Sequence, residues 1–240
     1  MKITRVFIIV LVTFLFTGKS YGQTAGEVMD KYFSAIGGKE KISQIKSFYT
    51  EGKMEMMGME VKSKTTVLNG KGWRQDIDMM GQNQITSLNE KTGWLSLPMQ
   101  GSAAPTDMPA DIYDKAKSKM IVGDPLVNYQ ANGNKVELAG NEAIGSINAI
   151  KLKMVKPDNT VDTYYFDPAS FLLIRSVQKE NMRGQEVEMT VNYSNYKDAG
   201  KGYMYPFTTE TDMGNGMKVV VTIVVAEVDK AVDPAIFNKP

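Results

Sequence analysis

SFYTEGKMEMMGMEVKSKTTVLNGKGWRQDIDMM, Ser47 to Met80, is the stretch that decides the fold. Its side-chain character repeats every two residues, the period of a strand with one face toward a core. Phe48, Met54 and Met56 fall on one face, with Tyr49, Lys53 and Glu55 on the other. Gly58 breaks the run where a hairpin turns, and Met59, Val61, Thr65 and Val67 then alternate with Glu60, Lys62, Lys64 and Thr66. Asn69-Gly70 supplies the residues that a tight hairpin turn prefers. Beyond it, Trp73, Ile77 and Met79 oppose Arg74, Asp76 and Asp78. The pattern predicts an antiparallel meander, greasy on one side and wet on the other. Four methionines, Met54, Met56, Met57 and Met59, crowd the first hairpin, and regular alternation keeps Met57 off the face of Met56.

Toward the N-terminus the period changes. In TAGEVMDKYFSAIGG, Val28, Met29, Tyr32, Phe33 and Ile36 recur at helical spacing. Thr24 serves as N-cap with Glu27 three residues on, and Gly37-Gly38 ends the helix. Before it, Lys2 and Arg5 precede the apolar run VFIIVLVTFLF, and small residues flank Tyr21, so residues 1–22 read as a secretory signal peptide cleaved before Gln23. The run is about half of the roughly 20 apolar residues that a spanning helix needs. The expectation is an exported, soluble, periplasmic chain with one domain, residues 23–240.

Between Pro98 and Asn134 the strand pattern stops. Pro98, Pro105 and Pro109 punctuate the chain, and Pro109 suits a first helical turn. Ile112, Ala116 and Met120 then line up at four-residue spacing, and a second short helix can start at Asp124-Pro125. This insertion reads either as a mobile cover for the sheet or as a fixed crossover that closes one end of it. Strands resume at Lys135 and run nearly to the C-terminus, separated by turn signals such as Pro157-Asp158-Asn159, Asp167-Pro168 and Gly214-Asn215-Gly216. About a dozen strands predict one large, strongly curved sheet. MKVVVTIVVAEV, apolar on both faces over Val219 to Ala226, predicts a central strand covered on each side.

The composition narrows the chemistry. There are 28 Lys and Arg, 27 Asp and Glu, no His and no Cys, for a formal charge of +1. Loss of Lys2, Arg5 and Lys19 with the signal peptide removes three positive charges and leaves −2. Such a balance, without basic runs, argues against nucleic acid as a partner. The missing histidine and cysteine remove the usual zinc ligands, the thiol nucleophile and the commonest general base. Asp76 and Asp78 share a face with Arg74 that reads as solvated exterior, while Asp162 and Asp167 sit at turn edges. Asp124, Asp158 and Asp212 lack the spacing of a calcium loop, and no G-x-S-x-G is present. No cofactor, metal or catalytic function is expected.

The order of elements resembles a known family. AIGGKEKI after the first helix, the long meander, the mid-chain helices, Tyr165-Phe166-Asp167 followed by Leu172-Leu173, the Tyr196…Gly202…Pro206 stretch and the closing Asp233…Phe237…Pro240 are similar to the outer-membrane lipoprotein-sorting proteins of the LolA/LolB-like superfamily. The resemblance implies an open, incomplete antiparallel barrel with an N-terminal helix and mid-chain helices over its concave face, enclosing acyl chains. It also implies a basic residue in the cavity, for which Arg74 is a nearby candidate although its phase sets it opposite Trp73. A lipidated cysteine, as in a receptor of this type, is absent.

The implied function is a non-catalytic carrier for acyl chains of lipids or lipoproteins, working with a membrane-associated donor or acceptor protein. The alternative is a sensor or scaffold module of the same fold that binds a protein at a strand edge. A carrier should have a connected cavity between sheet and helices, whereas a partner-binding module should have a filled interior. Methionine reshapes cheaply around a featureless chain, although it is equally an ordinary core filler. The candidate ligand face comprises Phe48, Met54, Met56, Met59, Val61, Trp73, Ile77 and Met79 on the first three strands, with Ile112, Ala116 and Met120 lying over them.

Overall fold

The computed structural model describes residues 23–123, 126–182, 185–214 and 216–240. The signal peptide expected over residues 1–22 lies outside the described residues, as do Asp124 and Pro125, where a second insertion helix was expected to start. Residues 126–133 form turns. No helix among the described residues is long and apolar enough to cross a membrane.

The chain opens with α1 (Ala25–Ala35) and α2 (Lys39–Ser43). Thr24 and Glu27 close the capping box: Glu27 N–H donates to Thr24 Oγ1 at 3.2 Å, and Thr24 N–H donates to Glu27 Oε2 at 2.9 Å. The glycine pair then admits a close approach, since a Cβ on Gly37 would stand 2.3 Å from the Gly202 carbonyl oxygen. Six strands follow: β1 (Ser47–Met56), β2 (Met59–Leu68), β3 (Gly72–Met79), β4 (Gln82–Asn89), β5 (Gly93–Leu97) and β6 (Ser102–Asp107). The insertion carries α3 (Ala110–Ala116) and a 3-10 turn over Lys117–Met120. Pro109 is the N-cap residue of α3 and not part of its first turn. The second half comprises β7 (Lys135–Ile144), β8 (Ile147–Val155), β9 (Val161–Phe166), β10 (Leu173–Met182), β11 (Gln185–Asp198), β12 (Met204–Asp212) and β13 (Lys218–Val228), and a 3-10 turn over Pro234–Phe237 ends the chain.

All of these strands form one antiparallel sheet in the order β6-β5-β4-β3-β2-β1-β13-β12-β11-β10-β9-β8-β7. It is open, because β6 and β7 are its two edges. Those edges are consecutive in sequence, so the insertion between them must travel from one side of the sheet to the other. Its route over the concave face makes it the cover of a trough. Asn69 secures it there: its Oδ1 accepts from Val122 N–H at 3.1 Å, its Nδ2 donates to Ile45 O at 2.8 Å, and Gly70 N–H donates to Met120 O at 2.8 Å.

Register confirms the alternation phase of the meander. Phe48 pairs with Val67 and Val67 with Trp73; Met54 pairs with Val61, Met56 with Met59, and Ser63 with Ile77. Burial is graded along the strands. Phe48, Val67, Trp73, Leu88, Leu152, Phe166, Tyr203 and Phe207 are buried in a single core with the apolar face of α1 and with Met120, Val122, Leu126, Val127 and Tyr129. Toward the opposite strand ends, where Met56, Met59 and Met79 lie, exposure rises. The trough is thus filled at one end and open at the other.

Two expectations are corrected. β13 is central but not covered on both sides: Val224 is 64% exposed on the outer face and Val225 is 37% exposed. The register jumps from Glu51↔Val225 to Gly52↔Ile223, so Val224 is the extra residue of a bulge. Gly52 makes room for it, since a Cβ there would meet the Thr222 carbonyl oxygen at 2.2 Å. Asp162, in turn, is no turn-edge residue. It is 2% exposed on the concave side of β9, paired with Lys156 at 2.9 Å.

On the convex face the C-terminal turn acts as a strap. Phe237 is 1% exposed, and its carbonyl accepts from Trp94 Nε1 at 2.9 Å and Ser87 Oγ at 3.1 Å. A Cβ on Gly72 would stand 2.5 Å from its ring, so only glycine leaves the ring its seat.

Candidate functional site

A cavity of about 370 Å³ lies between the concave sheet face and the covering segments. Phe48 and Val67 form an apolar floor, Thr50, Thr65 and Gln75 stand one step along the strands toward the mouth, and Ser63, Thr209, Val221 and Ile223 line the cavity beyond them. Lys119, Ile121 and Val122 of the insertion form part of the roof, and α1 contributes Tyr32 and Ile36.

The wall formed by β9 to β12 is rich in tyrosine. Tyr164 donates to Asp162 Oδ2 at 3.3 Å, Gln178 Nε2 donates to the same oxygen at 3.4 Å, and the Tyr193 and Ser176 hydroxyls lie 3.0 Å apart. Tyr196 donates to Leu173 O at 2.7 Å. Phe48 stacks edge-on against Tyr205 and Tyr203, with ring centroids 4.8 and 5.5 Å away. Burial pushes the phenols of Tyr32 and Tyr203 up, and the neighbouring Tyr205 hydroxyl adds to the effect. The same burial, reinforced by Tyr193, raises Tyr205 to about 12. These hydroxyls therefore remain protonated donors throughout the physiological range.

Lys119 is the cation of the cavity. The residue as a whole is exposed, its ammonium stands 4.8 Å from the centre of the Trp73 ring, and the surrounding protein lowers its pKa below the ordinary lysine value. No carboxylate partners it among the described residues. Arg74, the candidate from sequence, is on the convex face in a bidentate pair with Asp76, both bonds 2.8 Å, and donates to Ile236 O at 2.8 Å. Burial alone would raise the Asp76 pKa. The hydrogen bonds from Arg74 and Asn83, with the Arg74 and Lys64 charges, outweigh it and hold the carboxyl below its ordinary value. A larger hollow, about 680 Å³, surrounds this pair on the convex side. Its lining of Glu51, Lys62, Lys64, Arg74, Asp76 and Asp78 carries charges of both signs and offers no apolar enclosure.

The sequence-derived residues divide into three groups. Phe48 and Trp73 border the cavity. Met54, Met56, Met59, Val61, Ile77 and Met79 share its sheet face but stand nearer the mouth, with Val61 8% and Met59 40% exposed. The insertion does not present one stripe, because α3 ends at Ala116 and the tighter 3-10 turn changes the angular period. Ile112 is therefore 45% exposed, Ala116 is partly buried against the core, and Met120 is 7% exposed within it. Lys119 and the tyrosines were missed; their only sequence signal was the density of tyrosine between Tyr193 and Tyr205.

No family model matches the chain, and neither does any curated protein. Solved structures do. A LolA superfamily protein from Nitrosomonas europaea superposes with TM-score 0.58 at 12% identity, covering 90% of this chain and 98% of its own. A putative outer membrane lipoprotein-sorting protein domain from Vibrio parahaemolyticus gives 0.58 at 12%, covering 88% and 97%. This is the LolA-like fold. A DUF1329 family protein from Desulfovibrio piger shares it, with TM-score 0.61 at 13% identity over 89% and 97% of the two chains. At such identities the LolA-like likeness establishes architecture, and the site must be read from its own side chains.

Proposed function

We propose that this protein is a periplasmic, non-catalytic binding or carrier protein for the acyl chains of lipids or lipoproteins. The observation that carries the reading is the open trough. A cavity of about 370 Å³ lies on the same sheet face as a half-buried apolar surface at Met54, Met56, Ile77 and Met79, where a partner-binding module would have a filled interior. The volume is at the lower end for ligand sites, which suits one chain rather than several. A tail that buries about ten methylenes gains roughly 8 kcal/mol gross. That corresponds to about micromolar affinity before ordering costs are subtracted.

The rim supports the same reading. Met57 and Met80 are 77% and 83% exposed at the tips of adjacent hairpins, with φ of 52° and 56°. A turn of this kind prefers Asn or Gly, so large apolar residues there reflect a demand other than turn stability, such as contact with a donor or acceptor. Strand addition by a protein partner is less well served. The edge strand β7 is interrupted by a bulge between Leu138 and Asn141, and the other edge, β6, contains Pro105.

Titration calorimetry with a fatty acid at several temperatures tests the proposal. Saturable binding with a negative heat-capacity change is expected from apolar burial. Absence of binding to any single-chain or multi-chain lipid would refute it.

A further inference from the structure

On its sheet face the trough carries a band of polar side chains between an apolar floor and an apolar mouth. Near the mouth, the concave face of β1 to β3 presents Met54, Met56, Val61, Ile77 and Met79. Level with Ile77 it presents Ser63, and deeper Thr50, Thr65 and Gln75; Tyr32, Tyr203 and Tyr205 line the same cavity. Tyr32 is 8% and Tyr203 6% exposed, and among the described residues neither hydroxyl has a hydrogen-bond partner; nor has Tyr205. All three line the cavity, with the Tyr203 and Tyr205 rings 5.8 Å apart, and they form one donor cluster brought together from α1, from Tyr203 just before β12 and from Tyr205 within it. A buried donor without an acceptor is costly, and the aromatic packing around these rings prevents them from turning out to solvent. The cluster therefore calls for an acceptor from outside the chain. Lys119, an ammonium with no carboxylate partner among the described residues, lines the same cavity and adds positive potential.

Resting on the acyl-chain reading, we infer that the trough receives a single-chain amphiphile head-first: an anionic, hydrogen-bond-accepting head, a carboxylate or a phosphate monoester, sits among Tyr32, Tyr203 and Tyr205 with Lys119 facing it. The alkyl tail runs outward over the methionine face. From Thr50 to Met56 the strand offers about 20 Å for that tail.

Two measurements test this. In the first, dodecanoic acid, dodecyl phosphate and dodecanol are titrated into wild type, a Tyr32→Phe/Tyr203→Phe variant and Lys119→Met. Wild type should prefer at least one anion over the alcohol by about tenfold or more. Tyr32→Phe/Tyr203→Phe, which keeps both rings and should melt no lower than wild type, should lose most of that preference, and Lys119→Met part of it. A preference for one anion over the other identifies the head. Equal binding of all three ligands overturns the head site and leaves the carrier reading intact, whereas binding of none overturns both. The second measurement is orientation. Trp73 borders the cavity, and the other tryptophan, Trp94, is under the convex strap. A stearic acid with a nitroxide near its carboxyl should quench Trp73 fluorescence more than one with the nitroxide near its methyl end, and Trp73→Phe should abolish the difference. The reverse order overturns head-first binding.

Discussion

Aspartate placed at two depths of the same sheet face separates the filled end of the trough from the open one. Phe48 is 5% exposed and packs edge-on against Tyr203 and Tyr205. Removing such a ring costs about 3–5 kcal/mol, and a charge left without a partner adds further desolvation cost. Set against a total of about 5–15 kcal/mol, Phe48→Asp should leave the protein largely unfolded at room temperature. Ile77 lies on the same face but only half-buried, beside the mouth. It forfeits about half of the 1.5–3 kcal/mol of full burial, roughly 1 kcal/mol, for a melting shift of about 2–4 °C. A tail that covers Ile77 would bury the new carboxylate, so uptake of a fluorescent fatty acid should fall about tenfold or more. Thermal unfolding and fatty-acid titration on both variants give the comparison, with Lys53→Asp on the convex face as the control, its own small cost being the lost 2.8 Å pair with Glu60. If Ile77→Asp unfolds as completely as Phe48→Asp, the open end is a packed core. If Ile77→Asp folds and binds like wild type, the tail does not lie over the methionine face.

Three further outcomes follow from the geometry. Phe237→Ala should cost about 3–5 kcal/mol in denaturant unfolding, because the ring is fully buried against Gly72, while leaving fatty-acid affinity unchanged since the strap is on the convex face. Met57→Asn and Met80→Asn should each raise stability by about 0.5–1 kcal/mol, since Asn accepts the left-handed turn conformation, and should slow lipid transfer to vesicles if the rim meets a donor or acceptor. Asp229 accepts from Lys201 and from Lys46 N–H, which hold its carboxyl below the ordinary value of 3.8. Its folded-state pKa is depressed, so its contribution is complete above 3.8 and is lost as pH falls through the lower folded value. Asp229→Asn should therefore reduce stability at neutral pH and make little difference in strong acid, as read from thermal melts across that range.

Much of this architecture was legible because β-sheet physics is local. The pairs Phe48 with Val67 and Met54 with Val61 follow from alternation and the position of Gly58, and the capping box at Thr24 is a four-residue pattern. The site was less legible because it is assembled from distant elements. Tyr32 comes from α1, Tyr203 from the residue before β12 and Tyr205 from β12 itself, and nothing in alternation tells which of the tyrosines line one cavity. Lys119 was hidden among the lysines of KAKSKM, where a helical reading carried through Met120 misplaced the stripe that the 3-10 turn breaks. The single bulge at Val224 shifted one phase of β13, which no composition rule reveals. Asp162 looked like a turn residue because Asn159 and Thr160 precede it, yet Lys156 and Gln178 meet it only in the folded sheet.

Whether the trough holds an acyl ligand is read most directly by native mass spectrometry of the protein purified without detergent from its native cells. The predicted result is a mass shift, released on collisional activation, that corresponds to a single-chain anionic amphiphile and is lost in Ile77→Asp. A ligand-free wild type that also stays ligand-free after incubation with lipid extract would contradict the account.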